Sequence, residues 1–159
     1  DVMPYEIMKL RLLNGSHQAV GYCGVLAGYR AVDDAMADET IFRYIEQYMD
    51  AVGQSVPPVP GVDLQVYKAK LRERFGNKAL KDQLLRLTED ARNRIQVACI
   101  PCLEGLPLDS TAIAPVAALL ACWLRYLADN RDENGAAFTQ SKDAAKEELQ
   151  PIAMEIWSL

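Results

Sequence analysis

Ile113-Ala114-Pro115-Val116-Ala117-Ala118-Leu119-Leu120-Ala121-Cys122-Trp123-Leu124 is the most apolar stretch of the chain, and Arg125 closes it. Its length is roughly half of what a bilayer span requires, so the run predicts a buried helix and not a membrane anchor. Ser110 and Thr111 can cap it, Pro115 falls in or near the first turn, and the pattern continues to Asp129. A helix that is apolar nearly all round belongs at the centre of a fold. The flanking segments carry helical spacing and no convincing strand, so the expected fold class is all-α.

Outward from that helix the other elements follow. Towards the N-terminus, Pro4 to about Arg30 reads as one long helix, with proline tolerated in its first turn. Gly15, Gly21, Gly24 and Gly28 lie within it. Each glycine costs a helix roughly 1 kcal/mol against alanine, so something is expected to pack closely on that backbone. Asp38 should cap an amphipathic helix ending near Gly53, and Val56-Pro57-Pro58-Val59-Pro60-Gly61 should form a stiff connection. Asp63 can cap a helix through Phe75, Ala79–Leu87 and Thr88–Ala98 give two shorter helical patterns, and Pro101 and Pro107 bracket a turn. After the apolar helix, residues 130–139 read as a polar loop, and Lys142–Trp157 as an amphipathic helix interrupted near Pro151.

With 159 residues, half of them apolar and a quarter charged, the chain fits a single domain, residues 1–159. A net charge of −5 with interspersed signs argues against nucleic acid as a partner. The four cysteines, Cys23, Cys99, Cys102 and Cys122, are irregularly spaced and no secretory signal is visible. Reduced thiols in a cytoplasmic protein are therefore expected. Cys99 and Cys102 form a CxxC, but no second pair completes a zinc site, and the preceding residues read as helix where a thioredoxin-like site needs a strand. Two ordinary buried cysteines are the expected reading. The chain opens at Asp1 already in helical pattern, which suggests part of a longer protein.

Chemistry concentrates in Lys9-Leu10-Arg11-Leu12-Leu13-Asn14-Gly15-Ser16-His17. On a helix turning roughly 100° per residue, Lys9, Asn14 and His17 fall within an arc of roughly 140°. They could converge on one ligand. Oxidising a secondary alcohol needs a base for its proton and a donor for the developing oxyanion. A lysine with a pKa lowered by partial burial and cationic neighbours can be that base, with the amide of Asn14 on the same oxygen and His17, the only histidine, on an adjacent hydroxyl. By residue type alone a second reading stands beside it: a surface lysine, an asparagine at a helix bend and a satisfied core histidine.

The extended wording of that segment, followed by Leu26-Ala27-Gly28-Tyr29-Arg30, resembles the signature of the long-chain, metal-independent polyol dehydrogenases, a family that includes mannitol 2-dehydrogenase and the fructuronate and tagaturonate reductases. The resemblance spans essentially the whole chain. It implies an all-helical C-terminal domain similar to that of 6-phosphogluconate dehydrogenase, with an N-terminal Rossmann-type domain outside this chain holding NAD or NADP, and no metal. It implies Lys9 as general acid/base, and Asn14 and His17 on the substrate oxyanion and hydroxyls. The implied activity is interconversion of a hexitol such as mannitol with a ketose such as fructose, or reduction of a uronate. It also aligns Arg74-Phe75-Gly76-Asn77, Asp82 and Arg94 with a second family segment whose arginine touches the far end of the sugar, although Lys78 stands where the family carries proline. Arg94 reads equally as a surface helix residue. A non-enzymatic helical interaction module is the alternative from another class. The sequence contains no Gly-x-Gly-x-x-Gly after a strand, so any dinucleotide must be held mainly elsewhere.

Overall fold

Among the residues described by the computed structural model, 2–104 and 110–158, regular structure is helical, joined only by two isolated antiparallel bridges, Ala31 with Gln83 and Arg131 with Ala137. The fold is all-α, as the periodicity predicted.

The expected first helix is present but not uniform. It runs as α1 (Met3–Met8), a π-helical segment (Lys9–Asn14) and α2 (Gly15–Leu26). It also stops short of Arg30. Gly28 takes φ +93, the left-handed conformation that glycine adopts freely, and lets the Gly28 N–H reach the Val25 carbonyl at 3.1 Å and the Tyr29 N–H reach that of Gly24 at 2.9 Å. These paired bonds satisfy the last carbonyls and end the helix.

A short helix the sequence had not suggested, α3 (Val32–Ala37), leads into α4 (Glu39–Gly53), capped as expected by Asp38, whose carboxylate accepts from Thr40 and Ile41 N–H at 2.8 and 3.2 Å. Asp63 does the same for α5 (Leu64–Phe75), accepting from Gln65 and Val66 N–H. Two ion pairs tie α5 to α4, Lys68 to Asp50 at 2.6 Å and Arg72 to Glu46 at 3.4 Å.

The helix expected over Ala79–Leu87 breaks into a 3-10 turn (Lys78–Leu80) and α6 (Leu84–Leu87). The intervening backbone is claimed by another segment: Asp82 accepts from Val32 N–H and Leu84 donates to the Arg30 carbonyl, both at 3.0 Å. The next helix begins at Ala91, not Thr88, because Asp90 sits at φ 51, giving α7 (Ala91–Ala98). Pro101 opens the short α8 (Ile100–Leu103) instead of a turn, a place where its missing N–H is harmless. Pro107, the other proposed bracket, lies outside the described residues.

Ser110 accepts from the Ala112 N–H at 3.2 Å ahead of α9 (Ile113–Ala128), and α10 (Lys146–Trp157) closes the chain with Pro151 inside it. The polar loop between them docks through Asp132 onto Arg30, just beyond the end of α2. This buried carboxylate meets Arg30 at 2.9 Å, accepts from Asn134 and Ala136 N–H, and is held below the usual carboxylate range chiefly by that arginine. The Glu133 N–H adds a bond to the Leu26 carbonyl at 2.8 Å.

The expected central helix proves not to be the axis of the core. α9 buries Val116, Leu119, Trp123, Tyr126 and Leu127 but leaves Ala114, Ala117 and Ala121 exposed, whereas α2 is buried over most of its length and packs against α3, α4, α6, α7 and α9. Its glycines allow this, as a Cβ at Gly24 would come within 2.8 Å of Leu84 Cδ1. At Gly15 it would overlap the hydroxyl of the fully buried Tyr48.

Candidate active site

The segment that carries Lys9 and Asn14 is the π-helical one. There the Gly15 N–H bonds to the Leu10 carbonyl, five residues back instead of four. An i to i+5 pattern sets residues five apart about one turn from each other, so Lys9 and Asn14 share a side of the helix, closer in direction than the α-helical arc of roughly 140° predicted. Such widened turns recur at functional sites. This one is held from both sides: the Arg11 guanidinium donates to the Ser55 carbonyl, and Tyr48 on α4 closes against Gly15 with its hydroxyl 3.3 Å from Cys99 Sγ. Tyr5 anchors the proline-rich connection by donating to the Pro60 carbonyl at 2.6 Å.

Lys9 is exposed, Asn14 and His17 are half-buried, and neither the Lys9 nor the Asn14 side chain has a hydrogen-bond partner among the described residues. The partial burial expected around Lys9 is therefore not supplied by this chain. His17 is differently placed. Its ring lies against Phe75, centroids 4.8 Å apart, and its pKa is held down to about 4, first by burial and then by the Arg74 guanidinium, with Arg94 and Arg86 acting in the same direction and Asp82 opposing them. The imidazole is therefore neutral around pH 7, able to donate through one nitrogen and accept through the other.

These neighbours come from three helices, Arg74 at the end of α5, Arg86 on α6 and Arg94 on α7, which packs against both the π-helical segment and α2. Fold geometry thus brings the two sequence segments singled out above, residues 9–17 and 74–94, to one place. Asp82 pairs with Arg86 at 3.1 Å, while the guanidinium groups of Arg74 and Arg94 have no carboxylate partner among the described residues. Arg86 and Tyr48 were missed by the sequence reading. Nothing in their local pattern marks them, since only the packing of α6 and α4 on the first helix brings them near.

Cys99 and Cys102 are both buried. Burial pushes the Cys99 thiol up to about 12 and raises that of Cys102, which donates to the Ala98 carbonyl, so the pair behaves as protonated core thiols. Among the described residues no three His, Cys, Asp or Glu side chains are grouped to hold a metal ion, and no helix is long and apolar enough to cross a membrane.

The fold defines an all-helical domain whose first helix carries a widened, lysine-bearing turn. More particularly, residues 1–156 match the family described as Mannitol dehydrogenase C-terminal domain, and the chain belongs to that family. It is 40% identical over 140 residues to Mannitol dehydrogenase 2 of Saccharomyces cerevisiae, covering 87% of this chain and 28% of that protein. It is 36% identical over 154 residues to Mannitol 2-dehydrogenase of Aspergillus terreus, covering 96% of this chain and 30% of that protein. Among solved structures it superposes with a TM-score of 0.87 at 40% identity on Pseudomonas fluorescens mannitol 2-dehydrogenase, a ternary complex with NAD and D-mannitol, covering 96% of this chain and 31% of that one. The chain thus spans less than a third of the length of the relatives it matches.

Proposed function

We propose that this chain is the substrate-binding and catalytic C-terminal domain of an NAD(P)-dependent polyol dehydrogenase that interconverts a hexitol such as mannitol with a ketose such as fructose. The observation that carries this reading is the widened turn that sets Lys9 and Asn14 on one side of the first helix, about one turn ahead of a neutral His17 that lies in the field of Arg74, Arg86 and Arg94. Family membership and the NAD and D-mannitol of the Pseudomonas complex support it.

In this reading Lys9 takes the hydroxyl proton as the alcohol is oxidised and returns it in reduction. Asn14 donates its amide to the same oxygen as charge develops there, His17 holds an adjacent hydroxyl, and Arg94 meets the far end of the sugar. The dinucleotide supplies the hydride acceptor or donor. This chain offers it no glycine-rich strand-to-helix turn, so it is held mainly by a Rossmann-type domain beyond these residues. That domain would also cover the exposed Lys9 and keep bulk water from the reacting oxygen. The isolated chain is accordingly inactive, and its free cysteines fit a cytoplasmic setting.

One observation favours the uronate-reducing relatives as a second reading: the unpaired guanidinium groups of Arg74 and Arg94 are suited to a substrate carboxylate. Nicotinamide absorbance during reduction of fructose, fructuronate and tagaturonate by the longer protein, beside its Lys9→Ala form, decides between them. Fructose turnover that falls about a thousandfold in the variant is the expected result. Turnover of a uronate alone selects the second reading, and turnover unaffected by Lys9→Ala removes the general acid/base assignment.

A further inference from the structure

We propose that Phe75 is a positioning residue for the substrate-binding role of His17: its ring, the last residue of α5, clamps the imidazole and fixes the orientation in which it meets a sugar hydroxyl. This rests on the functional reading above. Phe75 is 4% exposed, and the two rings are tilted by 33° at 4.8 Å, a close packing that restricts rotation of the imidazole about its side-chain bonds. α5 itself is pinned to α4 by the Lys68–Asp50 and Arg72–Glu46 pairs, and the Gly76 N–H closes its last turn on the Arg72 carbonyl at 3.0 Å. The clamp is therefore set by a helix that is anchored away from the site.

The charged groups around the clamped ring act in the same sense. Arg74 from α5, Arg86 from α6 and Arg94 from α7 disfavour a second proton on the imidazole, and Asp82, the one carboxylate of the group, is engaged with Arg86. A neutral, fixed imidazole can donate to one hydroxyl and accept from another, which suits a polyol better than an imidazolium does. Phe75 covers part of the ring, and the arginines disfavour its protonation.

His17 is the only histidine, so NMR of its ring in this chain reads the clamp without interference. Ring protons displaced upfield by Phe75 and a ring-to-ring NOE are expected in the wild-type chain; positions typical of a free histidine would overturn the proposal whether or not any variant folds. In the longer protein, Phe75→Leu should raise KM for the sugar at least tenfold with kcat changed less than threefold, make KM newly dependent on pH between 5 and 7, and be rescued by Phe75→Tyr. A folded Phe75→Leu protein with KM and its pH profile unchanged, or a failed rescue, would overturn it. Absence of turnover of any sugar by the wild-type longer protein would instead overturn the functional reading, and the ring NMR would still test the clamp.

Discussion

Two helices divide the burial of this domain in a way their compositions do not foretell. α9 has the more apolar sequence, yet it buries five of its sixteen residues, whereas α2 buries nine of its twelve. The outward face of α9 is built of alanines, which lose little by facing water. α2 carries glycines, and the missing side chains let Tyr48 from α4 and Leu84 and Leu87 from α6 approach its backbone. Smallness at the contact, more than apolarity along the helix, marks the axis of this core.

Gly15 is the place where the comparison breaks most directly. A valine there would overlap the buried Tyr48 hydroxyl, and such overpacking should cost about 3 kcal/mol of unfolding free energy in chemical denaturation. Adding Tyr48→Phe should return part of it. A Gly15→Val protein of unchanged stability would mean that α2 is not the closely packed helix.

His17 sharpens the same contrast by acidity. Its folded pKa of about 4 lies below the ordinary 6.5, so the unfolded chain binds the extra proton first as pH falls. The associated stability is complete above pH 6.5, is lost progressively towards pH 4, and amounts to roughly 2–3 kcal/mol. Unfolding free energies of the wild type and His17→Gln, measured from pH 7 to pH 4, should therefore converge or cross as pH falls. A constant gap would show that the ring gains its proton as readily in the fold as out of it.

The smallest effect is expected on the outer face of α9. Ala121→Ser should change stability by no more than about 0.5 kcal/mol in thermal unfolding, as surface substitutions away from special features usually do. A loss well above about 1 kcal/mol would return α9 to the centre of the fold.

Much of the candidate site was legible in residues 9–17 because a lysine, an asparagine and a histidine at those spacings already fit alcohol oxidation, and the wording around them carried the family resemblance. Lys9 and Asn14 lie closer in direction than regular α-helical spacing predicts, because the backbone between them runs π-helical. That widening depends on Arg11 reaching Ser55 and Tyr48 closing on Gly15, contacts between residues more than thirty apart in sequence. Only the family resemblance ties Arg74, Phe75 and Arg94 to the site, and nothing in the sequence points to Arg86.

By itself the sequence determined the helical class, the caps at Asp38 and Asp63 and the polar residues of the first helix, because these follow from spacing and from side chains bonding their own neighbouring backbone. Tertiary structure alone decided where α6 and α7 begin, which helix forms the axis and what surrounds His17. Those outcomes rest on backbone bonds between residues 30–32 and 82–84 and on helices meeting across long separations, where no local preference can choose the partner.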